Sequence, residues 1–198
     1  KSMFRASTQI LSYGVFNLHY KEGKLSTLTG VDIIDPLINI KEDLKKITTA
    51  FYLIKLITQV LKDTQDPKIY DLFISTILKI NEGFDETVLC NILEIKLLPF
   101  LGVTLCLDGC IRCGSKKEIV TIDASYGGLI CKNCYRNEQI IDLRVVKLLR
   151  MYYYIDIGSI ENIKVDAKLK KIINKFLTDY YDSFTGLYLD KKVLEFKE

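Results

Sequence analysis

Two Cys-x-x-Cys pairs, Cys110-Ile111-Arg112-Cys113 and Cys131-Lys132-Asn133-Cys134, stand 17 residues apart. That spacing fits the pattern of a structural zinc site. Two thiolates three positions apart on a tight turn share one edge of a metal tetrahedron. A second such turn completes the tetrahedron, with Zn–S near ~2.3 Å. Cys113 runs into Gly114, a residue free to take the positive φ that a knuckle turn needs. Gly127-Gly128 precede the second pair and predict a hairpin that carries it back to the first. Four sulfurs leave no position open for a catalytic water, so the expected cofactor is one structural Zn2+ per chain.

The same residues would also serve two disulfides or a redox pair. Disulfides suit small secreted chains, whereas this sequence shows no secretory leader or membrane-spanning run and is rich in Lys, Ile and Tyr. A thioredoxin-type pair needs a single Cys-x-x-Cys in a βαβ frame. Zinc is the reading the spacing favours. Cys106 is the rival ligand, since Cys106-x3-Cys110 is also a workable spacing. Cys106 and Cys90 read more simply as small buried apolar residues.

A chain of 198 residues with 48% hydrophobic side chains can build one large domain or two small ones. A net charge of +3 permits nucleic-acid binding without demanding it. His19 is the sole histidine, there is no Trp, and no paired-carboxylate, Walker or G-x-G-x-x-G pattern occurs. These residues give no reason to expect an enzyme, and His19 reads as an ordinary strand residue.

The expected fold class is α+β, mostly α. Residues 1–35 read as β: alternation over Tyr13 to Tyr20, a polar turn at Lys21-Glu22-Gly23-Lys24, and a returning strand from Leu25 to Ile34. Two strands do not stand alone in water, so they pack on the helices or belong to a larger β-domain. Residues 36–100 read as helical, first through Ile40, Leu44, Ile47, Phe51 and Ile54. Asp66-Pro67 starts a second helix, which ends at Asn81-Glu82-Gly83. Asp85 opens a third that stops near Pro99. The cysteine module spans about 104–136 with a short strand at 118–123, too poor in apolar residues to hold its own shape without metal. Asp142 and Asp166 cap two further helices, which makes the module an insertion in a helical domain of residues 36–198. Tyr152-Tyr153-Tyr154 reads as core and rim.

Taken in order, these parts resemble the RecO recombination-repair family. The resemblance runs through Lys1-Ser2-Met3-Phe4-Arg5-Ala6, Leu25-Ser26-Thr27-Leu28-Thr29-Gly30, Ala50-Phe51-Tyr52-Leu53 and Tyr70-Asp71-Leu72-Phe73. It is sharpest in Glu94-Ile95-Lys96-Leu97-Leu98-Pro99-Phe100-Leu101-Gly102, then Cys110-Ile111-Arg112-Cys113-Gly114 and Tyr126-Gly127-Gly128-Leu129-Ile130-Cys131. It implies an N-terminal OB-fold, of which residues 1–35 match only the later part, a helical domain and a four-cysteine zinc module. It also implies a bacterial, cytoplasmic, nucleoid-associated protein of the RecF pathway that is not an enzyme. Such a protein binds single- and double-stranded DNA, anneals complementary strands, binds RecR, acts on strands coated by single-stranded-DNA-binding protein through that protein's acidic C-terminal tail, and helps load recombinase. No membrane is implied.

The expected nucleic-acid contacts are Lys1, Arg5, Lys21 and Lys24 in the β part, with Phe4, Tyr13 and Tyr20 interleaved as stacking partners. Around the cysteines they are Arg112, Lys116, Lys117, Lys132 and Arg136. Each is equally well read as ordinary solvated surface. Lys168, Lys170, Lys171 and Lys175 read as the wet face of their helix, where an acidic tail would also fit. The alternative function is a zinc-containing docking adaptor with no DNA affinity of its own.

Overall fold

The computed structural model describes residues 3–187 and 191–194. The first strand, β1 (Tyr13–His19), pairs antiparallel with β2 (Thr27–Asp35), from Tyr13 opposite Asp35 to His19 opposite Thr27. Residues 3–8 are turns rather than strand, because the Thr8 N–H and hydroxyl both donate to the Phe4 carbonyl. The ribbon leaves Val15, Leu18 and Ile34 more than half exposed. It is anchored at its base. Asp35 accepts from the Leu37 N–H at 2.7 Å and from the Asn81 amide at 3.3 Å.

The single helix expected from Ile40 onward is two. A short α1 (Ile38–Lys41) ends before Asp43, whose side chain accepts from the Lys45 and Lys46 N–H groups and starts α2 (Leu44–Asp63). The same device opens α3 (Pro67–Asn81) at Asp66, α4 (Glu86–Leu97) at Asp85, α5 (Leu143–Tyr154) at Asp142 and α6 (Ala167–Phe184) at Asp166. Each aspartate satisfies a backbone donor the helix cannot, which is worth about 1 kcal/mol per cap. Pro99 does not simply stop α4. The chain tightens into a 3-10 turn, Leu98–Leu101, closed by Gly102 at φ 73°.

Helix α4 is the axis of the body. Nine of its residues, Val88 through Ile95 and Leu97, are buried, which goes well beyond one apolar stripe. A helix buried all round must be surrounded, and α2, α3, α5 and α6 all pack against it. Two polar residues are buried with it, Asn91 and Glu94. Glu94 accepts from the Tyr52 hydroxyl at 2.6 Å and from the Lys191 ammonium at 2.6 Å, and Lys191 also donates to Asn91 at 3.3 Å. A further pair, Lys170 to Asp85 at 2.6 Å, joins α6 to the start of α4, so Lys170 is not part of a purely wet face. Tyr152 is fully buried and Tyr154 two-thirds exposed, the core-and-rim arrangement expected of that run.

The cysteine module is a three-stranded sheet of β3 (Cys106–Cys110), β4 (Ile119–Asp123) and β5 (Gly128–Cys131), in the order β3-β5-β4. Strands β4 and β5 form the expected antiparallel hairpin; β3 lies parallel to β5, a strand the sequence did not announce. The module does not stand apart. Leu107 and Leu129 join the hydrophobic core. The Arg150 guanidinium donates to the Leu107 carbonyl at 2.7 Å, and the Tyr180 hydroxyl to the Thr104 carbonyl at 3.0 Å. Its shape therefore owes part of its definition to α5 and α6.

Candidate metal centre

The first Cys-x-x-Cys turn leaves the end of β3 and the second begins at the end of β5. Because β3 and β5 are neighbours, Cys110 pairs with Leu129 and the Ile111 N–H donates to the Leu129 carbonyl at 2.8 Å. The turn after Cys110 closes through the Gly114 N–H to the Cys110 carbonyl at 2.7 Å, with Gly114 at φ 76°. That left-handed conformation favours glycine. Gly127, at φ 66°, turns β4 into β5 directly beneath Tyr180; a Cβ there would come within 2.5 Å of the ring.

These turns bring the Sγ atoms of Cys110, Cys113, Cys131 and Cys134 within 4.8 Å of one another. Cys113 and Cys131 are 3.6 Å apart, close to the ~3.8 Å edge of a tetrahedron with Zn–S of ~2.3 Å. All six cysteines are free thiols. Cys90 is fully buried inside α4, as read from the sequence. Cys106 is only half-buried, with its thiol toward the Gly109 carbonyl at 3.7 Å, and stands outside the four-sulfur set.

The electrostatics of the set follow from its crowding. Burial raises the Cys110 thiol, but the N–H groups of Cys131, Arg112 and Cys113 more than offset this and bring it down to about 6. Cys134 is pushed up to about 12, first by its interaction with the Cys113 sulfur and then by burial. One proton leaves this cluster easily and a later one leaves reluctantly, because each new thiolate faces the ones already formed. A divalent cation among the sulfurs removes that repulsion. Four sulfurs with backbone N–H support are the donor set of a closed, structural metal site, and they fit one such ion with no coordination position left over.

Among the basic residues expected near the cysteines, Lys116, Lys117, Lys132 and Arg136 are exposed, and none makes an ion pair to another described residue. Arg5, Lys21 and Lys24 are likewise exposed, and Lys1 lies outside the described residues. Arg112 differs from them. Its guanidinium is turned inward, donating to the Cys134 carbonyl at 2.6 Å and pairing with Glu138 at 2.7 Å. Glu138 was not anticipated from the sequence. Its carboxyl is held down to about 2, first by the Arg136 backbone N–H and further by Arg112. Only its position four residues past Cys134 hinted at a role.

Among the described residues no helix is long and apolar enough to cross a membrane. Residues 41–192 match the sequence profile of the family described as Recombination protein O C terminal. The DNA repair protein RecO of Listeria monocytogenes serotype 4b (strain CLIP80459) is 31% identical over 196 residues, covering 97% of this chain and 76% of that protein. The DNA repair protein RecO of Halalkalibacterium halodurans is 30% identical over 196 residues, covering 97% and 77%. That of Bacillus pumilus is 29% identical over 195 residues, covering 96% and 76%.

Proposed function

This chain belongs to the RecO family of DNA repair proteins, and from that footing we propose that it is a non-enzymatic recombination mediator. It binds single- and double-stranded DNA, anneals complementary strands and helps load recombinase onto strands coated by single-stranded-DNA-binding protein, with RecR as a partner. It acts in the bacterial cytoplasm, at the nucleoid. The observation that carries the reading is the four-sulfur cluster, set within a helical body that matches the family over most of its length.

In this reading Cys110, Cys113, Cys131 and Cys134 hold one Zn2+. The ion supplies no reaction chemistry; it fixes the two turns so that the module keeps a rigid surface. Residues 36–198 then form a helical domain with the module inserted at about 104–136, and residues 1–35 are the later part of an OB-fold. The exposed apolar side chains of the β1–β2 ribbon support that assignment, because a two-stranded ribbon with Val15 and Leu18 facing water is poorly stable by itself. Arg5, Lys21, Lys24, Lys116, Lys117, Lys132 and Arg136 supply positive charge for phosphates, as exposed cations do.

The test is annealing of two complementary labelled oligonucleotides, followed by energy transfer in the absence of any nucleoside triphosphate. Acceleration over the spontaneous rate, proportional to protein and indifferent to added ATP, is the expected result. A protein that binds both strands yet leaves the rate unchanged would sink the annealing role.

A further inference from the structure

Arg112 lies inside the first Cys-x-x-Cys turn, but its side chain serves the second. One arm of the guanidinium, Nη1, donates to the Cys134 carbonyl at 2.6 Å. The other, Nη2, meets Glu138 Oε1 at 2.7 Å and lies 3.8 Å from Asp123 Oδ2 on β4. The face of the guanidinium sits 5.0 Å from the centre of the Tyr126 ring, in the β4–β5 turn. Glu138 is fastened in turn, since its other oxygen accepts from the N–H groups of Arg136 at 2.8 Å and Asn137 at 3.2 Å. One cation thus ties together the first turn, the last residue of the second, and the stretch of chain that follows it.

The position of this tie matters because of what the strands do not reach. Pairing of β3 with β5 and of β4 with β5 fixes the buried sulfurs, Cys110 and Cys131, through Cys110 opposite Leu129 and Ile119 opposite Cys131. Cys113 is exposed and Cys134 half-buried, and both lie past the ends of those strands. Across that outer edge, beside the sulfurs themselves, Arg112 reaches from the first turn to the Cys134 carbonyl of the second. We infer that Arg112 is a clamp that holds the two Cys-x-x-Cys turns at metal-binding separation, a positioning residue for the centre rather than a DNA contact. The inference rests on the reading that the four thiols hold a metal.

The clamp depends on shape as well as charge. A planar guanidinium satisfies a carbonyl and a carboxylate at once while stacking on a ring; an ammonium of the same charge cannot. Residues that orient metal ligands in this way change metal affinity by roughly 10–100-fold when removed, without changing which atoms bind.

The experiment loads wild-type protein, R112K, R112M and E138Q with Co2+, reads the thiolate-to-cobalt absorption, and follows its loss after excess EDTA. One equivalent of cobalt and a tetrahedral four-thiolate spectrum are expected in all four proteins. Release should be about 10–100-fold faster in R112M and R112K, and faster by a smaller factor in E138Q, which loses one partner of the fork. Release at the wild-type rate in R112M and E138Q overturns the clamp, and full rescue by R112K overturns the claim that its shape matters. Wild-type protein that takes up no cobalt overturns the metal reading and the clamp with it, which separates the two failures. E138Q leaves the first Cys-x-x-Cys turn untouched, so it decides the matter if R112M does not fold.

Discussion

Lys191 is the residue whose replacement the structure penalises most clearly. Its ammonium is buried within the helical body, with side-chain exposures of 5% for Lys191 and 1% for Glu94, and the two are joined at 2.6 Å. In a K191M variant Glu94 keeps the Tyr52 hydroxyl at 2.6 Å and loses its counter-charge. Removing one partner of a buried pair costs about 3–5 kcal/mol, because the remaining charge is left desolvated and uncompensated. That is a large share of a typical stability of ~5–15 kcal/mol. At ~2–4 °C per kcal/mol for a chain of this size, melting should fall by roughly 6–20 °C. A Y52F variant, which removes one hydrogen bond to a charged acceptor, should lose less, about 1.5–3 kcal/mol. The double variant E94L/K191M should recover most of the loss of K191M, because it leaves no buried charge behind. Urea unfolding followed by far-UV circular dichroism measures all three. A loss below about 1 kcal/mol in K191M, or a double variant no more stable than K191M, would refute the idea that this pair is strongly coupled.

The metal centre and the helix caps give two further outcomes. C110S and C131S should each lose stoichiometric zinc, measured by metal analysis after gel filtration, whereas C90A should retain one equivalent; zinc retained in both serine variants contradicts the ligand assignment. D43A should cost about 1 kcal/mol at pH 7. Asp43 is held below its ordinary value of 3.8, first by the Lys46 N–H. A depressed carboxyl stabilises the fold above its unfolded pKa, and that contribution is lost as pH falls through the lower folded value. The gap between wild type and D43A should therefore narrow in melts taken below pH 3.8.

Much of this molecule could be read along the chain because its signals are local. The caps at Asp66, Asp85, Asp142 and Asp166 act on N–H groups two or three residues away, so residue type and position suffice. Gly114 and Gly127 take the positive φ that their turns require. The cysteine spacing encodes a cluster because each pair lies on one turn. What stayed illegible is what folding brings from afar. Nothing local marks Glu94 as half of a buried ion pair, since its partner Lys191 is 97 residues away. Lys170 looked solvated because Asp85 is 85 residues away. Along the chain Arg112 reads as one more surface cation because Glu138, which pairs with it, lies beyond two strands. Strand β3 is hard to read for a related reason: Cys106–Cys110 carries two cysteines and a glycine with little alternation, and its parallel pairing to β5 makes it a strand.

The measurement closest to the central claim is fluorescence anisotropy of a labelled single-stranded oligonucleotide titrated with the zinc-loaded chain at several salt concentrations between about 50 and 200 mM. Exposed cations such as Lys21, Lys24, Lys116, Lys117, Lys132 and Arg136 should neutralise several phosphates together. The affinity should then fall with salt with a log–log slope of about −3 or steeper, roughly four or more contacts at ~0.7 each on a single strand. An affinity that does not change with salt, or no binding at the lowest salt, would contradict the account and leave a zinc-holding docking body in its place.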